Sequence, residues 1–174
     1  MKDLKYLAAL SIPITAIIGL HFKGVWCFLT PIYSFVFIPL LEIILPQNNT
    51  NYSETELKDK KANKLFDWML YLNFPVVYGL IGWFLFVVTT FTLDYIELFG
   101  LTLSLGMVLG TNGINVAHEL GHRQNSSERY IGKALLLPSL YMHFYIEHNF
   151  GHHLHAATKE DPATARYNQS IYSF

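Results

Sequence analysis

The sequence predicts an all-α protein, a polytopic integral membrane helical bundle with histidine-bearing helices on its cytoplasmic side, and three observations predict it. Hydrophobic residues make up 52% of the 174-residue chain and charged residues only 14%, well below the roughly 25% of soluble domains. The apolar residues are gathered into four long runs. Five of the eight histidines fall into two short clusters, His118-Glu-Leu-Gly-His122 and Glu147-His-Asn-Phe-Gly-His-His153, beside those runs.

The runs are 6–20, 25–46, 68–91 and 95–117. At 1.5 Å per helical residue, each of the last three is long enough to cross about 30 Å of hydrocarbon. The first is short for a span. Because Gly24 lies in a brief connector and the second run follows at once, the two together are expected to form a helical hairpin. Nothing near Met1 resembles a cleaved signal peptide, so the first run is expected to be retained. Glu42 sits inside the second run, where an ionised group costs roughly 2.5 to 3.5 kcal/mol. Pro46 and the polar residues after it place Glu42 near an interface, with a polar cavity as the alternative.

Between the second and third runs lies a polar stretch from Gln47 to Asp67 carrying Lys58, Lys60, Lys61 and Lys64. Ser53 with Glu56 fits a capping box, which predicts a short surface helix leading into the third span. The next connector carries Asp94, with Glu97 close behind, and no Lys or Arg, whereas Arg123, Arg129 and Lys133 follow the fourth run. If four helices cross, these basic groups share one side with Lys2 and Lys5. The positive-inside rule makes that side cytoplasmic. Gly106-x-x-x-Gly110 in the fourth run offers a surface for close helix approach.

Net charge is −1, with no basic surface to neutralise phosphates, so nucleic acid is not an expected partner. Cys27 is the sole cysteine. It can form neither a disulfide framework nor a thiolate metal site, and it reads as a small apolar side chain.

The histidines carry the chemistry. Neutral imidazole suits iron, zinc, copper and nickel. If the fourth span continues as helix past Ala117, His118 and His122 stand one turn apart on one face and can hold one metal or bridge toward two. His-Glu-x-x-His alone is also the zincin pattern, with Glu119 as general base, so a zinc membrane protease is a minor alternative. In the second cluster, α-helical spacing pairs His148 with His152 and lets His153 diverge toward a second ion. Five histidines exceed what one open zinc site uses, which points to two metal ions. Carboxylates that orient the imidazole N–H groups are expected nearby, from Glu119, Glu147, Glu160 and Asp161. His21 reads as a connector residue, and His143 and His155 as polar residues flanking the second cluster.

Asn115-Val-Ala-His-Glu-Leu-Gly-His-Arg123, Glu147-His-Asn-Phe-Gly-His-His153 and the trailing Ala157-Thr-Lys-Glu-Asp-Pro-Ala-Thr-Ala-Arg166 resemble the first two histidine motifs of the membrane alkane 1-monooxygenases, within the fatty-acid desaturase and hydroxylase superfamily. The trailing segment favours an alkane hydroxylase over a desaturase, a fatty-acid desaturase or other lipid hydroxylase standing as the alternative, and Lys159 departs from the proline frequent there. The resemblance implies a di-iron centre that uses O2 to hydroxylate the terminal carbon of medium or long-chain alkanes. Rubredoxin, with its reductase, would supply electrons, and the setting would be the inner (plasma) membrane of a bacterium. By motif matching the iron ligands are His118, His122, His148, His152 and His153, with Asn115, Glu119, Glu147 and Asp161 as supporting residues. The family pattern also includes further spans and later histidine motifs. On that basis the chain is expected to be the N-terminal part of such an enzyme, its C-terminal part missing, and inactive alone.

Overall fold

The computed structural model describes residues 2–46, 51 and 53–174. Among them every regular element is a helix. Two compact units divide the chain, Met1–Val116 and Ala117–Phe174.

In the first unit a 3₁₀ stretch, Lys2–Leu10, leads into α1, Ser11–Phe22. The chain then reverses through Lys23 and Gly24, both with φ of 56°, and enters α2, Gly24–Ile44. This is the expected hairpin, and Gly19 is what permits it. A Cβ there would lie 2.9 Å from the Trp26 carbonyl oxygen, so only glycine lets the two arms meet so closely.

A short helix, α3, Glu54–Ala62, begins with the expected capping box: Glu56 N–H donates to Ser53 Oγ at 3.3 Å, and Ser53 N–H donates to Glu56 Oε2 at 2.9 Å. It leads directly into α4, Lys64–Thr90, which starts four residues before the apolar run because Asn63 caps it through Leu65 N–H at 3.0 Å. The next long helix, α5, is Tyr95–Gly121. Its start carries a second capping box, with Glu97 N–H donating to Asp94 Oδ1 at 2.7 Å. Glu97 Oε1 also accepts from Gly24 N–H at 2.8 Å, tying the hairpin turn to the head of α5.

Helices α2, α4 and α5 are long and apolar enough to cross a membrane, whereas the first apolar helix, Tyr6–Phe22, is shorter. Large apolar side chains such as Phe35, Phe86 and Phe99 are exposed on them, as expected of surfaces whose solvent is lipid. Glu42 is exposed two residues before α2 ends, which fits the interfacial reading. The side chains of Lys2, Lys5 and Lys61, and the connector positions 47–50 and 52, lie outside the described residues.

The core of this unit contains Ala16, Leu20, Cys27, Val77, Leu80, Leu101 and Val108, and Cys27 is fully buried as an apolar side chain. Close helix approach falls at Gly100, where a Cβ would lie 2.9 Å from Cys27 Cβ. At Gly106 and Gly110, where the GxxxG spacing placed it, an added Cβ meets no described atom within 4 Å. The spacing alone does not say which side of α5 faces the hairpin. Two buried asparagines join helices, Asn112 Nδ2 donating to Asn73 Oδ1 at 2.8 Å. Asn112 also donates to the Ala9 carbonyl at 3.3 Å, and Asn73 donates to the Met69 carbonyl at 2.8 Å. With their donors engaged, both amides are tolerated away from water.

The second unit holds the end of α5, then α6, Ser126–Leu136, and α7, residues 144–155. Ala117, Leu120, Leu135 and Leu136 are its buried apolar residues. Gly132 sets α6 against α5, since a Cβ there would lie 3.1 Å from the Ala117 carbonyl oxygen. Leu140, with φ of 53°, marks the turn before α7.

Candidate metal centre

All the candidate ligands lie in the second unit. At the end of α5, Ala117, Leu120 and Gly121 are buried, which commits one face of the last turn to packing and leaves His118 and His122 on another. Helix therefore does continue past Ala117. Gly121 lies against α7, where an added Cβ would stand 3.5 Å from the Tyr145 ring. Lys133 Nζ sits 4.5 Å over the centroid of that same ring, so α6 also bears on the helix that carries the second histidine cluster.

Four histidines converge. His148 Nε2 lies 2.7 Å from His118 Nε2, 3.2 Å from His122 Nε2 and 3.1 Å from His153 Nε2, while His118 and His122 are 3.0 Å apart. The four candidate ligand atoms all lie within 4.8 Å of one another. A single imidazole nitrogen has either one lone pair or one proton, so His148 Nε2 is not satisfied as a hydrogen-bonding group by three other nitrogens. The spacing suits a shared ion instead. With metal–nitrogen bonds of about 2.1 Å, neighbouring ligand nitrogens stand about 3.0 Å apart in octahedral and about 3.4 Å in tetrahedral geometry.

Protonation agrees with that use. The His148 pKa is pushed down to about 4, first by loss of hydration and then by the adjacent imidazoles, His118 foremost. A neutral ring is the form that donates a lone pair to a metal.

The second cluster departs from the α-helical reading. Residues Glu147–His152 form a π-helical turn, and its i→i+5 bonding brings residues five apart toward one side. His153 consequently joins His148 in the four-nitrogen group, and His152 stands outside it. His152 has a separate partner: its Nδ1 lies 2.8 Å from Asp161 Oδ2. A proton held at Nδ1 by the carboxylate leaves the Nε2 lone pair for a ligand. Asp161 is buried, and it accepts from Ala163 N–H at 3.0 Å and from the Thr164 hydroxyl. The Thr164 bond is the main reason that its carboxyl titrates below the ordinary aspartate range, with burial acting the other way.

The other candidates lie elsewhere. Glu119 is exposed and pairs with Arg123 at 3.3 Å. Asn115 and Glu147 are exposed, and among the described residues neither side chain hydrogen-bonds to a clustered histidine. Glu160 titrates below its usual range chiefly through Thr158. His21 meets Phe22 edge-on at 4.7 Å, and His143 meets Tyr141 edge-on at 4.9 Å. His155 is exposed.

Residues 94–174, which include every clustered histidine, match the fatty acid desaturase family. Over 93% of its length the chain is 35% identical to alkane 1-monooxygenase 1 of Alcanivorax borkumensis, spanning 41% of that protein. It is 34% identical over 98% of its length to alkane 1-monooxygenase of Ectopseudomonas oleovorans, spanning 44% of it. These similarities support the membrane alkane 1-monooxygenase family for this chain, within the fatty acid desaturase superfamily. A third relative, alkane 1-monooxygenase 2 of Pseudomonas aeruginosa, is 33% identical over 97% of the chain and 46% of its own length. The chain thus spans less than half the length of the curated relatives it matches.

Around the histidine group, sequence reasoning missed Phe144, Tyr141 and Thr164. Phe144 stacks on His148 with centroids 4.8 Å apart and planes at 16°, and Tyr141 stacks on Phe144 at 5.2 Å. The available signal was spacing, because Phe144 precedes His148 by four residues and Thr164 follows Asp161 by three.

Proposed function

We propose that this chain contributes the first histidine motifs of a membrane enzyme that hydroxylates the terminal carbon of medium or long-chain alkanes. The observation that carries this reading is the convergence of four imidazole nitrogens, in a chain whose relatives bear the name alkane 1-monooxygenase.

In this reading His118, His122, His148 and His153 hold one iron. His152, with its Nδ1 proton held by Asp161, is the ligand available to a second. Two bound irons would supply the activation of O2 and the transfer of one oxygen atom into a C–H bond, with rubredoxin and its reductase delivering electrons. The protein's own contribution is placement. Asp161 keeps the His152 proton on Nδ1, burial keeps His148 neutral, and the apolar spans admit a hydrocarbon that has no polar group by which to be oriented. Orientation follows the basic residues: Lys58, Lys60, Lys64, Arg123, Arg129 and Lys133 face the cytoplasm of a bacterium and the apolar helices cross its inner membrane. That side is where a soluble electron donor reaches the histidines.

A fatty-acid desaturase or other lipid hydroxylase is the second reading, favoured by the family matched over residues 94–174. The zinc protease reading loses ground. Its general base, Glu119, is tied to Arg123, and the first histidine pair stands with His148 and His153 in one group.

The deciding experiment supplies membranes containing the protein that carries this chain with octane, O2, NADH, rubredoxin and rubredoxin reductase. Formation of 1-octanol, abolished by His118→Ala, is expected. An unsaturated product from a fatty acyl substrate, with no alcohol from octane, selects the second reading.

A further inference from the structure

His148 is the hub of the four-nitrogen group, and its ring is the member held most tightly by other rings. Phe144 lies one helical turn before it and His152 one turn after it. The ring planes of Phe144 and His148 differ by 16° with centroids 4.8 Å apart, and those of His148 and His152 differ by 20° at 5.6 Å. Tyr141 extends the series, 22° from Phe144 at 5.2 Å. Four rings thus form a ladder that starts in the turn before α7, runs along that helix and ends at the His152–Asp161 pair. Phe144 also meets His118 edge-on, with centroids 6.0 Å apart and planes at 66°. It is the one non-histidine ring, among the described residues, that contacts two of the four clustered histidines.

A half-buried phenylalanine on a helix is ordinarily packing and no more. Here the geometry asks for more, because an imidazole donates to a metal only along the Nε2 lone pair, which lies in the ring plane. Rotation about the His148 Cβ–Cγ bond would swing that lone pair away from the point shared with His118, His122 and His153. A parallel ring against the His148 face blocks that rotation, and the same ring, edge-on to His118, limits the partner histidine.

We propose that Phe144, backed by Tyr141, is a positioning residue of the metal centre, holding the planes of His148 and His118 so that their nitrogens meet at one ion. The proposal rests on the reading of the histidine cluster as a metal site.

Cobalt(II) is the probe, titrated into the metal-stripped, detergent-solubilised protein that carries this chain, with affinity and the visible ligand-field spectrum as readouts. Phe144→Leu keeps apolar bulk but removes the flat ring, so it is expected to weaken cobalt binding about tenfold and to shift the bands. Phe144→Tyr is expected to retain both affinity and spectrum. Tyr141→Leu, at a more exposed position, is expected to weaken binding less and to shift the bands in the same direction; it decides the matter if Phe144→Leu does not fold. Wild-type affinity and spectrum in Phe144→Leu, or in Tyr141→Leu where only that variant folds, overturn the proposal, as does an equal loss in Phe144→Tyr and Phe144→Leu. Failure of the unmodified protein to bind cobalt at all overturns the metal reading itself, a result distinct from those.

Discussion

His152 Nδ1 lies 2.8 Å from Asp161 Oδ2, and this contact determines which nitrogen of His152 is left to face a ligand. Asp161 is itself held by Ala163 N–H and the Thr164 hydroxyl, so the carboxylate enters the contact already charged and oriented. Replacing Asp161 with Ala frees the His152 ring and its tautomer. Metal affinity is expected to fall by about 10- to 100-fold, with Thr164→Val giving a smaller loss. Competition with a chelator, read as iron retained per chain, measures both.

Single-histidine variants separate the two-ion reading from a one-zinc site. His118→Ala removes one of four converging nitrogens and is expected to lower bound metal on either reading. His152→Ala discriminates, because that ring stands outside the four-nitrogen group. Two irons predict a loss of about half the iron per chain, whereas one zinc at the first cluster predicts no change. Elemental analysis of the purified variants reads the answer.

Glycine substitutions test the helix contact in the first unit. A Cβ at Gly100 would lie 2.9 Å from Cys27 Cβ, so Gly100→Ala is expected to destabilise by about 1–3 kcal/mol through overpacking. Gly106→Ala meets open space and is expected to be neutral or to stabilise by roughly 0.5–1 kcal/mol, the ordinary helix preference for alanine. Unfolding midpoints in one detergent, compared side by side, would expose a reversed order.

The Asn73–Asn112 pair gives a double-mutant cycle. Each change to Leu strands a buried amide and is expected to cost about 1 kcal/mol, and the double change is expected to cost less than the two singles together. Coupling of roughly 0.6 to 1.7 kcal/mol is the range for hydrogen bonds between membrane helices. Additive single effects would show that the amide contact contributes nothing of its own.

Metal-free protein should show a pH signature of His148. Its folded pKa is about 4, below the ordinary histidine value of about 6.5. Between those values the unfolded chain takes up a proton that the folded chain does not, so folding stability falls as pH drops from about 6.5 toward 4 and is unaffected by this group above that window. His148→Gln removes this component. The difference between the unfolding midpoints of the two proteins, followed across pH, should be flat above about 6.5 and change below it.

Much of the architecture was legible because membrane insertion imposes a coarse rule. A helix crossing hydrocarbon must be long and apolar, and α2, α4 and α5 declare themselves by composition. Capping boxes are equally local, and Ser53 with Glu56 was readable from a spacing of three. Asp94 with Glu97 obeys the same rule. The GxxxG spacing marks where an approach is feasible, whereas the close contact among the described residues falls at Gly100, because the partner's position decides where it occurs. Phe144 escaped notice for a related reason, since an aromatic residue in an apolar chain carries no mark of the ring it will face.

Taken alone, the sequence determined that this is a helical membrane protein with two histidine clusters and a family resemblance carried by them. Those properties depend on residue type and near spacing. Tertiary structure decided which histidines meet. The choice of His153 over His152 for the four-nitrogen group turns on a π-helical turn at Glu147–His152, and the side of α5 that carries His118 and His122 is set by packing of Ala117, Leu120 and Gly121. A shift of one residue in a helical hydrogen-bond pattern rotates every later side chain, and residue spacing alone does not reveal where it occurs.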